Sequence, residues 1–174
     1  IISKNLSKAC EEIRTPLLVF DRKSLHRKSN NFVYISGMQE IKNIELENKN
    51  ILLAIGSRAL NDTAKYYRKC GANVFARVLP THESISKALC SCIKKTNIAI
   101  LEPSKINQSY LEKKLCDFWQ IDYILCRESG SYSQKNWERI VSQTKMILFL
   151  VKRPKFKNNN SYFFSEFDSL IDHV

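Results

Sequence analysis

A chain of 174 residues with 28 Lys and Arg against 17 Asp and Glu carries a formal charge of +11, and 44 % of it is hydrophobic. Chains of roughly 150 residues bury about 70 % of their unfolded surface, so this composition supports a full core and excludes disorder as the main state. The longest apolar run, Met146 to Val151, is far short of the roughly 20 residues a bilayer-spanning helix needs, which leaves no candidate membrane span.

The chain opens on Ile, and Ile1 to Arg14 lacks the apolar core and cleavage site of a secretory signal; a truncated amino terminus is the expectation. Ile2, Leu6, Ala9 and Ile13 form a helical stripe, and Pro16 to Phe20 reads as a buried strand. Together they look like the tail of a preceding α/β unit. A weaker strand, Phe32 to Ile35, and an amphipathic stretch, Met38 to Leu46, lead into a regular series.

That series has five apolar runs: Ile51 to Ile55, Val74 to Leu79, Ile98 to Leu101, Tyr123 to Cys126 and Met146 to Val151. Between them lie helical stripes, Leu60/Ala64/Tyr67, Ile85/Ala88/Leu89/Ile93 and Leu111/Leu115/Phe118. Strand, helix, strand at a steady period is the βαβ signature. Runs that are apolar throughout, not alternating, belong to parallel strands covered on both faces. The expected fold is therefore α/β, an open and mostly parallel sheet with helices on both faces. Punctuation agrees: Gly71 suits a helix C-terminus, and Pro80-Thr81 ends a strand and supplies a helix cap. Pro154 closes the last strong strand, with a polar linker, Lys155 to Ser161, and a terminal helix, Ser165 to His173, expected after it.

Six cysteines without a CxxC, and three scattered histidines, give no metal-ligand spacing. We read the cysteines as reduced thiols, the setting as cytoplasmic, and no metal is expected.

In open α/β sheets ligands bind outside the carboxyl ends of the strands, so the strand-to-helix turns hold the candidate residues. Gly56, Ser57 and Arg58 form the first such turn, where glycine permits close approach and Ser57 can cap the helix. Arg77 interrupts the next strand, just before Pro80 and Thr81; a charge there costs desolvation unless it is paired. Arg127, Glu128, Ser129 and Gly130 end a third strand, bringing a guanidinium, a carboxylate, a hydroxyl and a glycine together. Such a loop can grip a carboxylate or phosphate through arginine and backbone amides. Lys152 and Arg153 end the last strand. With arginines recurring in these turns, the ligand is expected to be anionic, the guanidinium groups converging on one mouth. The lysines are spread thinly and no RNP, zinc-finger or helix-turn-helix spacing occurs, so nucleic acid is not expected as the partner.

In order along the chain, IGSRAL (Ile55 to Leu60), FARVLPTHES (Phe75 to Ser84), Pro103 after a strand, WQIDYILCRESG (Trp119 to Gly130) and VKRP (Val151 to Pro154) resemble the precorrin-6A reductases, the CobK/CbiJ family. The likeness runs through about Ile2 to Pro154; Ser3 to Arg22 is similar to the segment after the family's first-domain His-Pro motif. It implies a Rossmann-like fold with residues 1–35 as the tail of the nucleotide-binding domain and its connection, and 36–174 as the carboxy-terminal α/β domain. It further implies NADPH as hydride donor, a tetrapyrrole (precorrin-6A or its cobalt form) as substrate, a monomer, and reduction of one ring double bond. On that resemblance Gly56, Ser57, Arg58, Arg77, Pro80, Thr81, Arg127, Glu128, Ser129 and Gly130 bind substrate or cofactor, with no catalytic residue identified. The sequence departs from the family at Glu102-Pro103-Ser104 and at Ser131, and has no glycine-rich nucleotide loop. The other reading is a non-catalytic module that binds a polyanion through the same arginines.

Overall fold

In a computed structural model, the described residues are 2–20, 30–38, 40, 44–103, 109–153, 161–164, 169 and 171. They form α1 (Ile2–Glu12), β1 (Leu17–Phe20), β2 (Phe32–Ile35), β3 (Asn50–Ala54), α2 (Leu60–Lys69), β4 (Asn73–Val78), α3 (His82–Leu89), β5 (Ile98–Ile100), α4 (Tyr110–Phe118), β6 (Tyr123–Arg127), α5 (Tyr132–Ser142), β7 (Ile147–Val151) and β8 (Ser161–Phe164). The chain divides into two compact units, residues 26–153 and residues 1–25 with 154–174.

The larger unit is a six-stranded sheet in the order β2-β7-β6-β3-β4-β5, and every pairing in it is parallel. This is the expected doubly wound α/β architecture. On one face Ile51, Leu53, Ala76, Val78, Leu125 and Phe149 pack with Leu60, Ala64 and Tyr67 of α2 and Ala88 of α3. On the other face Leu52, Ile124, Cys126, Leu148 and Leu150 pack with Cys116 of α4 and with Trp137, Ile140 and Val141 of α5. The central residues Ile51, Leu52, Leu53, Ile124 and Leu125 have no exposed surface. Successive side chains of a strand point to opposite faces, so continuous apolar runs are what this two-sided burial requires.

Local punctuation follows the sequence at two places. At the end of α2 the Ala72 N–H donates to the Tyr67 carbonyl and the Gly71 N–H to the Arg68 carbonyl, both at 3.1 Å, the paired bonds of a Schellman closure. Gly71 has φ +81° and a Cβ there would stand 3.2 Å from Glu47 Cα, so both backbone and space call for glycine. Thr81 caps α3, its hydroxyl accepting from the Ser84 N–H at 3.3 Å.

Other expectations change. The Leu111/Leu115/Phe118 stripe of α4 does not face the core, for Leu111 and Phe118 are 61 % and 80 % exposed while Glu112 and Cys116 are buried. The helix is turned so that Glu112 meets Asn136 of α5. Along the α1 stripe, likewise, Leu6 and, just past the helix end, Ile13 are exposed, and Ser7 is buried. Helix α5 follows the β6 turn where a helix was expected, although its stripe was not singled out, whereas strand β8 was not expected. In the smaller unit β8 pairs in parallel with β1, Leu17 opposite Ser161 and Phe20 opposite Phe164. The expected linker at Lys155–Asn160, and the terminal helix apart from Ser169 and Ile171, lie outside the described residues.

Candidate functional site

Because all six strands run the same way, the turns after β3, β4, β6 and β7 open at one edge of the sheet, as expected. The chain leaves β3 for α2 and β4 on one side, but leaves β6 for α5 and β7 on the other. Strands β3 and β6 are neighbours, Ala54 pairing with Cys126. The crevice where connections diverge from adjacent strands is the ligand position of open α/β sheets. Here it lies between the Gly56-Ser57-Arg58 turn and the Arg127-Glu128-Ser129-Gly130 turn.

Gly56 adopts φ 82° and ψ 160°, a region open essentially to glycine alone. Ser57–Ala59 form one 3-10 turn before α2, and no side chain caps it; the cap expected of Ser57 is absent because the chain enters the helix through this tighter turn. Arg58 is exposed. Glu83, in the first turn of α3, is held below the usual carboxylate range by its hydrogen bond to Lys87, by the Lys87 charge and by Arg58. Pro80 and Thr81 are exposed on the adjoining turn, where the Thr81 hydroxyl is spent on its cap.

The β6–α5 turn is internally tied. The N–H groups of Ser129 and Gly130 both donate to Gln134 Oε1, each at 2.7 Å. Gln134 Nε2 donates to Glu138 Oε1 at 2.6 Å. Ser129 and Ser131 hydroxyls meet at 2.7 Å, and Gly130 takes φ +64°. These amides were expected to grip an anion, but a side-chain carbonyl already occupies them. Glu128 is 9 % exposed and its carboxylate accepts from the Arg153 N–H at 3.2 Å, while its own N–H donates to the Val151 carbonyl at 2.9 Å. It ties the end of β6 to the end of β7. Arg127 is exposed and is the turn's outward cation.

Arg77 does not join Arg127. It follows Ala76, which pairs with Leu53, so alternation puts its side chain on the face of Ala54, Cys126, α4 and α5. Arg127 pairs with Val151 and projects on the opposite face, in line with Tyr123 and Leu125. The expected convergence of the two guanidinium groups fails for this reason: their strands are in register, but the two residues have opposite parity. Arg77 is 7 % exposed, and its Nε and Nη2 have no hydrogen-bond partner. Burial pulls it below its usual range, with the charges of Glu112, Cys126 and Glu102 opposing that shift. It is a buried cation that feels the charges of Glu112 and Glu102 without a hydrogen bond from Nε or Nη2 to either.

Sequence reasoning missed the buried polar set Glu112, Gln134, Asn136 and Glu138, whose residual exposures are 2 %, 4 %, 4 % and 5 %. The spacing of Gln134 and Glu138 beside Trp137 and Val141 was the available signal, since residues four apart share a helix face. Among the described residues, two of the hollows lie elsewhere. One of about 450 Å³ is at the amino edge, beside Asp122 and Lys145. The other, about 460 Å³, is lined by Glu40 and Asp62 together with Gly37 and Met38, and its carboxylates are the wrong sign for a polyanion.

Comparison with known proteins adds to this geometry. No curated protein sequence matches the chain. Among solved structures, a chain described as CobK precorrin-6A reductase is similar with a TM-score of 0.74 and 12 % identity, over 99 % of this chain and 66 % of its own length. At that identity the likeness shows the fold, and the chain spans 66 % of the solved protein's length. The family model for precorrin-6x reductase CbiJ/CobK matches residues 1–174. From its first residue to its last, then, the chain belongs to the precorrin-6x reductase CbiJ/CobK family.

Proposed function

We propose that this chain takes part in the NADPH-dependent reduction of a double bond in precorrin-6A or its cobalt form, and that the β3/β6 crevice holds the tetrapyrrole. The observation that carries this reading is the pairing of two turns across the switch point, each presenting an exposed arginine, in a chain of this family. A ring decorated with carboxylates suits guanidinium groups, which bind them in forked geometry. Arg127 is the principal contact and Arg58 the second, its charge partly offset by Glu83. Gly56, Ser57, Ser129 and Gly130 shape the two walls. Arg77, Glu128 and Thr81 support the site through the fold. We place the smaller unit, residues 1–25 and 154–174, with the nucleotide-binding part of the enzyme and the larger unit, residues 26–153, with the substrate part, in place of a division after residue 35, because β2 pairs with β7; we place the setting as cytoplasmic.

Hydride comes from NADPH when it is bound; the residues described here orient and charge-match the acceptor ring, the part of the work a protein contributes to such chemistry. The test follows NADPH oxidation with precorrin-6A and equilibrium binding of the same tetrapyrrole. Turnover that is lost on Arg127→Ala, with binding weakened, supports the proposal. Binding of RNA with a steep salt dependence, and none of the tetrapyrrole, would instead favour a polyanion-binding module.

A further inference from the structure

A close and buried polar arrangement lies beneath the β6–α5 turn of the larger unit. A single oxygen, Gln134 Oε1, receives two backbone N–H groups at 2.7 Å each. Two convergent amides of successive residues make a seat for an anion, and here a neutral carbonyl from the protein's own helix fills it. The opposite end of the same amide meets Glu138 Oε1 at 2.6 Å. An ionised carboxylate accepts only, so it holds the NH2 end of Gln134 toward itself and turns the carbonyl toward the turn. The reversed amide would set N–H against N–H at the turn and oxygen against oxygen at Glu138. Gln134 and Glu138 are 4 % and 5 % exposed, so water does not compete for either contact, and an unmet bond there carries its full desolvation cost.

We propose that Gln134, oriented by Glu138, is the positioning residue of the β6–α5 turn: it fixes Ser129 and Gly130, and through them the direction in which Arg127 leaves the sheet edge. The role in ligand binding rests on the crevice reading given above; the fixing of the turn does not. It also gives a use to two buried polar residues that lie in a core helix next to Trp137.

The experiment compares the 174-residue chain with Q134M, which keeps the length and removes the acceptor, with E138M, which removes the orienting carboxylate, and with E138Q, which retains an oxygen that can accept from Gln134. Hydrogen exchange of the Ser129 and Gly130 amides is measured without ligand, and precorrin-6A affinity is measured by titration. Exchange at both amides should rise about tenfold in Q134M and E138M, as expected for a lost buried hydrogen bond, and stay near the parent value in E138Q, with Leu53 and Leu125 unchanged throughout. Affinity should fall about tenfold in the two methionine variants and be retained in E138Q. Unchanged exchange at Ser129 and Gly130 in both methionine variants would overturn the proposal, and so would faster exchange with undiminished affinity. Should Q134M fail to fold, E138M carries the same comparison. If the parent binds no tetrapyrrole, the crevice reading fails by itself, and the exchange data still decide whether Gln134 fixes the turn.

Discussion

The two faces of the six-stranded sheet are built on different principles. The face under α2 and α3 is apolar up to the carboxyl edge, with Leu53, Ala76, Val78 and Leu125 closing it. The face under α4 and α5 has an apolar centre around Trp137 and Ile124, yet it also buries Arg77, Glu112, Gln134, Asn136 and Glu138. Buried polar groups are tolerated when they are satisfied and are costly otherwise. Four of them are linked, Gln134 to Glu138 and Asn136 to Glu112 at 3.2 Å, while Arg77 Nε and Nη2 have no hydrogen-bond partner, and the first pair reaches the turn that carries Arg127. The comparison teaches that one face supplies stability, while the other gives up part of its apolar surface to shape a loop at the switch point.

Substitutions should separate these two contributions. The largest effect is expected at Trp137, 1 % exposed in the apolar centre of the α4/α5 face; Trp137→Ala should lower stability by about 3–5 kcal/mol, read from the urea midpoint. Next is Arg77→Met, which withdraws the positive charge acting on buried Glu112 but also removes a desolvated cation with two unpartnered nitrogens, so it should cost no more than about 1–3 kcal/mol. Adding Glu112→Gln to that variant should recover part of the loss; no recovery would mean that Arg77 acts through packing alone.

A backbone effect follows. Gly56→Ala puts a side chain at φ 82° and ψ 160°, where the cost is of order 1–3 kcal/mol. A Cβ there meets nothing within 4 Å, so the whole loss is conformational, and a stability unchanged in thermal unfolding would show that the turn relaxes. A smaller effect is alkaline. Cys116 and Cys126, both on the α4/α5 face, are pushed up to about 12 from an ordinary 9.0, first by burial and then by neighbouring carboxylates such as Asp117 and Glu138 respectively. Raised folded values mean that their contribution is complete below the unfolded value and is lost as pH climbs through the folded one. Stability should therefore decline above about pH 9 in proportion to these two thiols, and the decline should shrink in Cys116→Ala/Cys126→Ala. Near about pH 8 an alkylating reagent should modify exposed Cys90 and spare both buried thiols until the chain unfolds.

Much of this fold was legible. The strands that carry Ile51, Val74, Ile124 and Leu148 announced themselves because two-sided burial leaves only apolar side chains. For the same reason the sequence hid which face each end residue takes: in a run such as Val74 to Val78, alternation becomes visible only once register with a neighbour is known, and Arg77 and Arg127 were therefore assigned to one mouth. The buried side of α5 was not read, because it includes Gln134, Asn136 and Glu138, which look like surface residues until their partners are in place. Strand β8 was missed because Ser161 to Phe164 follows a polar stretch and its partner β1 is about 140 positions away, a distance that local pattern does not span. The candidate turns, by contrast, were found from topology, since their place at the strand ends follows from the βαβ order.

The most direct measurement is the affinity of the 174-residue chain for precorrin-6A before and after Arg127→Ala, taken at two salt concentrations with the unfolding midpoint recorded alongside. An exposed residue of this kind contributes little to stability, within about 0.5 kcal/mol, whereas a charge-assisted contact to a ligand carboxylate is worth at least about tenfold in affinity. Tenfold or weaker binding with an unmoved midpoint is the predicted result. Equal affinity of the two chains would contradict the assignment of the β3/β6 crevice as the tetrapyrrole site.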